Sequence, residues 1–349
     1  MRKLFKQIYI ASLRSNRNKI ILFFEILLLK IINKIEWRHY IIGELYSSNL
    51  KLKNRLEYLG YTKLDKFLRQ VNPVKNRILA DDKYVQKLIF KSFDIPVPKM
   101  YGFLHQELGI DLNKNALQNT YDLKKLLERE KVDCCVLKPI RSRHGNEFKI
   151  FYIKNKNKFT ETESKYFVTE KNISENQKIN NNSEGYICEE LVGQHGALAS
   201  INPNSLNTLR VWVWKGQEKS VIIGAFLRAS KSQTPVDNTS AGGVVARIDI
   251  NSGVVVSNFF EVDDSFQYHE VSPVGGIKVQ GMKIPYWDDV VTIALKGGDC
   301  LNGLKLLALD IGISEAGPVC IEVNAEGSFQ GQFLMKFGFG QLRNQVSAV

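Results

Sequence analysis

The chain contains 349 residues, of which 44% are hydrophobic and 24% are charged. A chain of this length forms about two or three domains, or one large composite fold, and it can bury a large core. The composition is typical of a soluble globular protein and excludes both a wholly disordered chain and a small disulfide-stapled scaffold.

Charge is distributed unevenly along the chain. The net charge is +12, but the first hundred residues hold 21 basic against 8 acidic side chains, so the whole surplus lies there. This asymmetry indicates a polyanionic partner at that end of the chain. An anionic membrane surface, a nucleic acid or a charged glycan would each supply the negative charge.

The five cysteines indicate a reducing compartment. Their number is odd, and neither a CxxC pair nor a metal-ligand spacing occurs in the sequence. Such a pattern argues against a secreted disulfide fold and favours small buried cysteines. We therefore predict a cytoplasmic protein.

A strongly apolar segment, residues 20–32, follows a basic stretch near the N-terminus. Glu25 and Lys30 interrupt it, and its uncharged runs are too short to span a bilayer or to serve as a signal peptide. Two predictions stay open: a helix packed on the protein core with both charges pointing outward, or an interfacial helix on anionic lipid. Nucleic acid is not expected as a partner, because no recognised binding motif occurs.

The first third of the chain has the pattern of helices. Apolar residues spaced by three and four predict several helices in residues 1–75, with Gly60 ending one of them and Pro73 marking a boundary. A capped amphipathic helix is expected over residues 81–92, and a charged helix over residues 123–131.

The rest of the chain is rich in strand patterns. CCVLKP predicts a strand that ends in Lys138, and YICEELV predicts another after a polar surface excursion over residues 154–185. The segments TLRVWVW, SVIIGAFLRAS, GGVVARIDI and GVVVSNFF are rich in β-branched residues, which predicts an antiparallel sheet. A helix is expected over residues 286–301, before the last two strands.

Those last strands predict a β-hairpin over residues 306–327, with SEAGP as its turn. Glu322 and Asn324 are two residues apart and leave the same face of the second strand, and the pairing places Asp310 near Asn324. Carboxylate and amide oxygens suit a hard ion such as Mg²⁺, which commonly shares its coordination with phosphate. The hairpin is therefore a predicted magnesium and nucleotide-phosphate site.

Positive charge for phosphate groups is available at three places. Lys138 ends a strand and can deliver a point charge. The loop RSRHG, residues 141–145, combines cations with a glycine whose backbone can cradle phosphate. Arg210 and Arg228 lie within strands, where they occupy either an outward edge or an anion-binding cleft.

The order of these features resembles the ATP-grasp superfamily. DIGIS…GPVCIEVNAEGS is similar to the metal-binding hairpin of the glutamate ligases that extend a ribosomal protein tail. NPNSLNTLRVWVW, followed by AFLRAS and VDNTSAGG, resembles the sugar-transfer-associated ATP-grasp subfamily, whose members belong to surface-polysaccharide systems. The resemblance covers about residues 82–332. It implies an α+β ATP-grasp fold, in which two subdomains grip ATP, preceded by a helical N-terminal region.

The resemblance also implies domain limits and residue roles. A basic helical region is expected over residues 1–80, a first subdomain over residues 81–190 and a second over residues 191–349. The expected catalytic residues are Arg210, Arg228 and Asn238. The expected ATP-binding residues are Lys138, Arg141, His144, Gly145, Glu189, Glu190, Leu191, Val192 and His195. The expected metal ligands are Asp310, Glu322 and Asn324.

Two of these assignments keep alternatives. Either Lys83 or Lys91 supplies a second lysine, and either Gln194 or His195 lies near the ribose or a phosphate. Asn238 and the paired glycines after it are expected to form a loop over the site.

The implied reaction is an ADP-forming ligation of a carboxylate to an amine through an acyl phosphate, with ATP and two Mg²⁺ ions. We expect it to join an amino acid or another small-molecule amine to a carboxylate of a surface polysaccharide or its lipid-linked precursor. The alternatives are a ligase that makes a peptide or extends a protein tail, and a non-catalytic ATP- or glycan-binding subunit. The expected location is the cytoplasm, with a peripheral position on the inner face of the membrane as a further expectation.

Overall fold

The structure is a computed structural model, and it describes residues 2–141, 149–153, 167–169, 184–232, 242–263, 265–326 and 329–345. Within these residues a helical N-terminal region precedes two β-sheets, which confirms the predicted α+β class. The predicted division into three parts stays a prediction. Its first limit falls inside a helix, Ile78–Asp81, and its second directly follows a strand that ends at Glu189.

Helices form the N-terminal region, as the apolar spacing predicted. They are α1 (Arg2–Ser15), α2 (Lys19–Asn33), α3 (Trp37–Ile42), α4 (Leu52–Arg55), α5 (Tyr61–Val71), a 3₁₀ turn (Val74–Asn76), α6 (Ile78–Asp81) and α7 (Lys83–Ser92). The carboxylate of Asp82 accepts hydrogen bonds from the backbone N–H groups of Tyr84 and Val85, and this cap explains where α7 begins.

The first sheet has the strand order β2-β1-β6-β3-β4-β5 and is antiparallel except between β4 and β5. Its strands are β1 (Met100–Leu104), β2 (Ile110–Asp111), β3 (Cys134–Pro139), β4 (Lys149–Tyr152), β5 (Phe167–Thr169) and β6 (Tyr186–Glu189). The helix α8 (Thr120–Glu130) packs on it through buried leucines, among them Leu123 and Leu127. Of the predicted polar excursion, the structure describes β5 and the last two residues.

The second sheet is antiparallel throughout, as predicted, with the order β11-β10-β9-β8-β7-β12-β13. Its strands are β7 (Leu209–Lys215), β8 (Ser220–Ala229), β9 (Val244–Ile248), β10 (Phe259–Glu261), β11 (Tyr268–His269), β12 (Leu306–Ser314) and β13 (Gly317–Asn324). The helices of this half are α9 (Gly196–Ala199), α10 (Trp287–Cys300), α11 (Gly331–Met335) and a 3₁₀ helix (Phe339–Gln345).

Side chains alternate between two cores on the faces of this second sheet. Val211 and Val213 of β7 point to one core, which they share with α10. Trp212 and Trp214 point to the other core, which is filled by residues from α1 to α5. Arg210 has the parity of Trp212, so it leaves the sheet on the face that the N-terminal helices cover.

Gly60 begins a helix, so the prediction that it ends one was wrong. It is the N-cap residue of α5, and its N–H donates a 2.8 Å hydrogen bond to the carbonyl oxygen of Asn33. A Cβ at this position would lie 2.1 Å from the carbonyl oxygen of Lys34. The close approach of two backbone segments therefore requires glycine here, irrespective of where a helix ends.

The apolar segment at residues 20–32 forms most of α2, and one face of it packs on the core as the first alternative predicted. Leu22, Ile26 and Leu29 are buried on that face. Glu25 does not point outward: its side chain is only 9% exposed and lies 2.8 Å from a guanidinium nitrogen of Arg17 and 2.9 Å from one of Arg55. The prediction for Glu25 was wrong because its carboxylate pairs with these two arginines, which precede α2 and lie on α4.

None of the helices in the described residues is long and apolar enough to cross a membrane.

Candidate functional site

The predicted hairpin is formed by β12 and β13, which are joined by a two-residue turn between Ser314 and Gly317. A bulge next to Asp310 shifts the register, so Asp310 lies directly opposite Glu322, and Asn324 lies opposite Ala308. Asn324 is thus the residue next to the direct partner of Asp310 on that face of the hairpin, and the two lie diagonally across the strand pair. Bulges of this kind re-aim side chains at functional positions and cannot be read from alternation alone.

Glu322 and Asn324 share a face of β13, as their spacing predicted. The side-chain amide of Asn324 donates a 3.3 Å hydrogen bond to Oε1 of Glu322. Both side chains are half-buried, and both line a cavity of about 470 Å³.

Asp310 is buried and holds two arginines. Nε and Nη2 of Arg210 donate hydrogen bonds of 2.7 and 2.6 Å to its two carboxylate oxygens, and Nη2 of Arg228 lies 3.1 Å from Oδ2. Burial alone would raise the pKa of Asp310, but the guanidinium groups of Arg210 and Arg228 outweigh it and hold the pKa below its usual value. Asp310 therefore stays ionised at neutral pH.

Neither arginine occupies an outward edge position. Arg210 lies on β7 and Arg228 on β8, which are both interior strands of the second sheet. The cross-strand partners Arg210 and Asp310 face each other directly. The structure thus brings together three of the residues that the sequence singled out.

The cavity beside the hairpin has a wall of basic side chains. It is lined by Arg69, Val74, Arg77, Ile78, Ala80, Asp81, Lys83, Arg141, Glu322, Val323, Asn324 and Glu326. Arg69 lies on α5, and Arg77 directly precedes α6, so the N-terminal helices build one side of this cavity. Four cations therefore line the cavity together with the acidic side chains of Asp81, Glu322 and Glu326.

Of the two lysines that the sequence left open, Lys83 lies at this cavity. Lys83 is 6% exposed and lines the cavity, whereas Lys91 is exposed on the last turn of α7. The sequence missed Arg77, whose side chain is 7% exposed and pairs with Glu326 at 2.5 Å. Its neighbours Lys75 and Asn76 are polar as well, so the local sequence did not single it out.

A second buried ion cluster joins α7 to the first sheet. Glu189 is 1% exposed, and its carboxylate lies 2.5 Å from Nζ of Lys138 and 2.8 Å from Nζ of Lys87. Burial alone would raise the pKa of Glu189, but the two ammonium groups hold it below its usual value. The sequence missed Lys87, which lies one helical turn after Lys83 on the buried face of α7.

The carboxylate of Glu189 is thus engaged by lysines, while its neighbours form the connection from the first sheet to the second half. The N–H of Glu190 donates a 2.8 Å hydrogen bond to the carbonyl oxygen of Lys99. Leu191 is 39% exposed and Val192 is half-buried. These residues follow β6 directly, and their expected contact with ATP stays a prediction.

Gln194 and His195 both have identifiable structural contacts. The side chain of Gln194 donates to the carbonyl oxygens of Asn202 and Ser205 and accepts from the N–H of Asn207. Nδ1 of His195 accepts a 3.1 Å hydrogen bond from the N–H of Ala197.

His195 also lies near the hairpin turn. Its N–H donates to the carbonyl oxygen of Ile313, and its Nε2 lies 3.6 Å from Oε2 of Glu315. Because Gln194 anchors its own loop, His195 is the better candidate for contact with a ligand.

Arg141 is the described part of the predicted glycine loop. Its side chain is 52% exposed, and its Nε lies 3.4 Å from Oδ2 of Asp82. His144, Gly145 and Asn238 lie outside the described residues.

The donor atoms fit a hard divalent cation at Glu322 and Asn324. A carboxylate and an amide on one strand face beside a basic cavity match the oxygen ligands that Mg²⁺ prefers when it binds with phosphate. Asp310, the third expected ligand, is held by two arginines. In the described part of the chain, no group of three or more His, Cys, Asp or Glu side chains has the arrangement of a metal site.

The first sheet carries the buried pair of Lys138 and Glu189, and the second carries Arg210 and Asp310 beside Glu322. The chain has the ATP-grasp fold. The chain belongs to the sugar-transfer associated ATP-grasp family, whose sequence pattern matches residues 63–347. No curated protein matches its sequence.

Among the solved structures that resemble this chain, one reaches a TM-score of 0.50 and agrees with this fold. A biotin carboxylase–ATP complex from Campylobacter jejuni has a TM-score of 0.50 at 11% identity, over 84% of this chain and 54% of that one. An L-amino acid ligase from Bacillus licheniformis has a TM-score of 0.42 at 11% identity, and the match covers 78% of this chain and 48% of the ligase. A D-alanine–D-alanine ligase from Bacillus anthracis has a TM-score of 0.43 at 14% identity, and the match covers 79% of this chain and 69% of the ligase. The chain thus spans about half the length of the first two proteins.

Proposed function

We propose that this protein is an ADP-forming ligase that joins a carboxylate to an amine through an acyl phosphate. The observation that carries the proposal is the set of Arg210, Arg228 and Asp310, which directly adjoins Glu322 and Asn324. Phosphoryl transfer mainly requires positioning and charge neutralisation, and this set offers both.

Nucleotide binding is proposed for the space between the two sheets. Lys83, Lys138 and Arg141 would contact phosphate oxygens, and the segment from Glu190 to Val192 would contact adenine. Glu189 has a positioning role in this proposal, because its ion pair fixes the ammonium group of Lys138. His195 would lie near the ribose or a phosphate.

The first step forms a bond between a carboxylate oxygen of the acceptor and the γ-phosphorus, and the bond from that phosphorus to ADP breaks. Arg210 and Arg228 neutralise the charge on the transferred phosphoryl group. In the second step an amine nitrogen bonds to the acyl carbon, phosphate leaves with the electron pair of its C–O bond, and the nitrogen loses a proton. The loop that carries Asn238 would exclude water from the acyl phosphate.

Glu322 and Asn324 would hold Mg²⁺. Asp310 would become a third ligand if one of its two arginines paired with nucleotide phosphate instead. When bound, the ion neutralises phosphate charge and orients the nucleotide. The use of two ions stays a prediction.

The proposed acceptor is a carboxylate on a surface glycan or its lipid-linked precursor, and the proposed donor is an amino acid or another amine. The family description supports a link to sugar transfer. Arg69 and Arg77, which line the same cavity, support an anionic acceptor, since guanidinium groups bind carboxylates well. We place the reaction in the cytoplasm as part of this proposal.

Trapping with hydroxylamine tests the reaction. The protein is incubated with ATP, Mg²⁺, hydroxylamine and uronic-acid oligosaccharides or other carboxylates, and the hydroxamate and ADP are measured. We expect equal amounts of both products, only when an acid is present. Glu322→Gln should lower both at least about 100-fold, because it removes the charge that holds Mg²⁺ beside phosphate.

A matched control is Glu218→Gln, which removes an exposed carboxylate from the turn between β7 and β8 of the same sheet. It should leave both products unchanged. The proposed reaction would be refuted if ADP release did not depend on the added acid, or if Glu322→Gln were as active as the wild type.

A further inference from the structure

The two N-terminal helices expose an apolar surface to solvent. Its main side chains are each 57–67% exposed and form what we call the outer face: Phe5, Leu13, Ile20, Ile21, Phe24 and Ile31. Ile20, Phe24 and Ile31 are spaced by four and seven residues, so they share one side of α2. Phe5 and Leu13 are spaced by eight residues and share one side of α1. Exposed apolar surface of this extent commonly marks an interaction site.

The outer face is separate from the side of α2 that stabilises the fold. Leu22, Ile26 and Leu29 point inward to the core that covers the second sheet. The outer residues point away from it, so packing on the core does not account for their apolar character.

Negative charge is absent from this surface in the part of α1 and α2 that the structure describes. Residues 2–35 contain eight basic side chains and one acidic side chain, Glu25. Glu25 is held inward by Arg17, Arg55 and the hydroxyl of Tyr40. The fold thus removes the one carboxylate of this segment from the outer face.

Positive charges border the outer face. Lys6, Lys19 and Lys34 are exposed. Nζ of Lys19 lies 5.0 Å from the ring centre of Tyr9, and Nζ of Lys30 lies 3.4 Å from that of Trp37. An apolar stripe bordered by lysines and aromatic rings has the composition of a helix that lies in a membrane interface.

We propose that α1 and α2 dock the protein on an anionic lipid bilayer, with the outer face inserted at the level of the headgroups and the lysines against acidic lipids. A second copy of the chain fits this surface less well, because a two-fold interface would bring two basic surfaces together. Spanning the bilayer is not part of the proposal, since α2 has only 15 residues.

Docking would place the bilayer on the same side of the second sheet as the candidate site. The core beneath α1 and α2 contains Trp212 and Ala308. Arg210 and Asp310 leave the same face of the same strands, two positions away. The inference about lipid does not rest on the proposed ligase reaction, because vesicle binding is measured without nucleotide or acceptor.

Vesicle flotation tests the proposal with the full chain. Neutral phosphatidylcholine vesicles are compared with vesicles that contain about 30% phosphatidylserine, at about 0.1 M and about 1 M salt. We expect binding to the anionic vesicles at low salt, and at least tenfold weaker binding both to neutral vesicles and in high salt, where the screening length falls to about 3 Å.

Two sets of variants separate the apolar and the electrostatic contributions. The double variant Phe24→Ser, Ile31→Ser should weaken binding at least tenfold while keeping the wild-type melting temperature, because both side chains are exposed. Replacing Lys6, Lys19 and Lys34 by Gln should weaken binding to the anionic vesicles only. Matched controls are Leu108→Ser, which is 70% exposed elsewhere, and the triple replacement of Lys114, Lys131 and Lys278 by Gln.

Several outcomes would overturn the proposal. The first is that the wild-type protein does not float with anionic vesicles at low salt. Equal loss of binding in the control variants would overturn it too, because it would mean that general charge or apolarity is responsible. A dimer that the variant Phe24→Ser, Ile31→Ser abolishes, without any vesicle binding, would assign the outer face to a second copy of the chain.

Discussion

Glu189 in the first sheet and Asp310 in the second are buried carboxylates, and each pairs with two cationic side chains. A buried charge is costly unless it is paired and hydrogen-bonded, so each set must form as a whole. In both sets one cation is clearly more exposed than the other members. Lys138 is 15% and Arg210 is 12% exposed, which leaves these two cations accessible to a ligand.

The first expectation compares the two lysines that pair with Glu189. Lys87→Met removes a fully buried partner and should destabilise the protein by about 3 kcal/mol or more. Lys138→Met should destabilise it less, because Lys138 lies closer to solvent, but should weaken ATP binding by about 1.5–3 kcal/mol. Urea unfolding and nucleotide titration measure the two effects. A stability loss in Lys138→Met that exceeds the loss in Lys87→Met, with unchanged ATP affinity, would mark Lys138 as purely structural.

Single residues could be predicted from the sequence where their chemistry stood out locally. Arg210, Arg228 and Asp310 interrupt apolar strands, and the structure joins them. Lys87 was missed because its role depends on Glu189, about a hundred residues later, and a helical pattern gives no reason to prefer it to Lys83. Long-range ion pairs are fixed by packing, which one sequence does not reveal.

At the scale of elements, the hairpin of β12 and β13 was predictable but its register was not. Apolar runs predicted both strands, and the turn residues predicted the connection. The bulge beside Asp310 moves the pairing by one residue, and an apolar pattern does not reveal a bulge. The limit of a helix at Gly60 was also mispredicted. Glycine is required there by its contact with the end of α2, and it does not mark the end of a helix.

The second expectation concerns that contact. Gly60→Ala places a methyl group 2.1 Å from the carbonyl oxygen of Lys34, so the junction of α2 and α5 must open. We expect a loss of about 1–3 kcal/mol in the free energy of unfolding, as in other overpacked positions. Thermal or urea unfolding measures it.

Gly193→Ala is the matched control, because no atom lies within 4 Å of a Cβ at that position. It should change stability by less than about 0.5 kcal/mol. Equal stability of the two variants would contradict the close approach at Gly60.

At the scale of the whole molecule, the N-terminal helices pack on one face of the second sheet and are hydrogen-bonded to it. The side chain of Asn72 donates a 2.6 Å hydrogen bond to the carbonyl oxygen of Leu306 and accepts hydrogen bonds from the N–H groups of Lys305 and Leu306. Arg69 and Arg77 then line the cavity. The sequence predicted helices here but not their place beside the site, because their packing depends on Trp212 and other residues far along the chain.

The third expectation follows from a histidine in this interface. His39 is 4% exposed and stacks on Phe333, with a ring-centre distance of 4.9 Å. Burial and the neighbouring charge of Arg38 lower its pKa from 6.5 to about 3. The exposed carboxylate of Glu36, 3.9 Å from Nδ1, acts in the opposite direction.

The sign of the pH dependence follows directly. Below pH 6.5 the unfolded chain binds a proton at His39 that the folded protein does not, so the free energy of unfolding falls as pH falls. Between pH 7 and pH 5 this amounts to about 2 kcal/mol, and it continues toward the folded pKa near 3. His39→Phe should remove this part of the pH dependence in urea unfolding. A variant with the wild-type pH dependence would place the titrating group elsewhere.

The most direct test of the candidate site is the affinity for ATP with and without Mg²⁺, measured by calorimetry in the absence of any acceptor. We expect Mg²⁺ to strengthen ATP binding to the wild type at least tenfold, Glu322→Gln to lose this strengthening while keeping its melting temperature, and Glu218→Gln to retain it. Glu322 lines the cavity beside Asn324, whereas Glu218 is exposed at the far end of the strand that carries Arg210. Full strengthening by Mg²⁺ in folded Glu322→Gln, or a wild-type protein that does not bind ATP, would contradict the assignment.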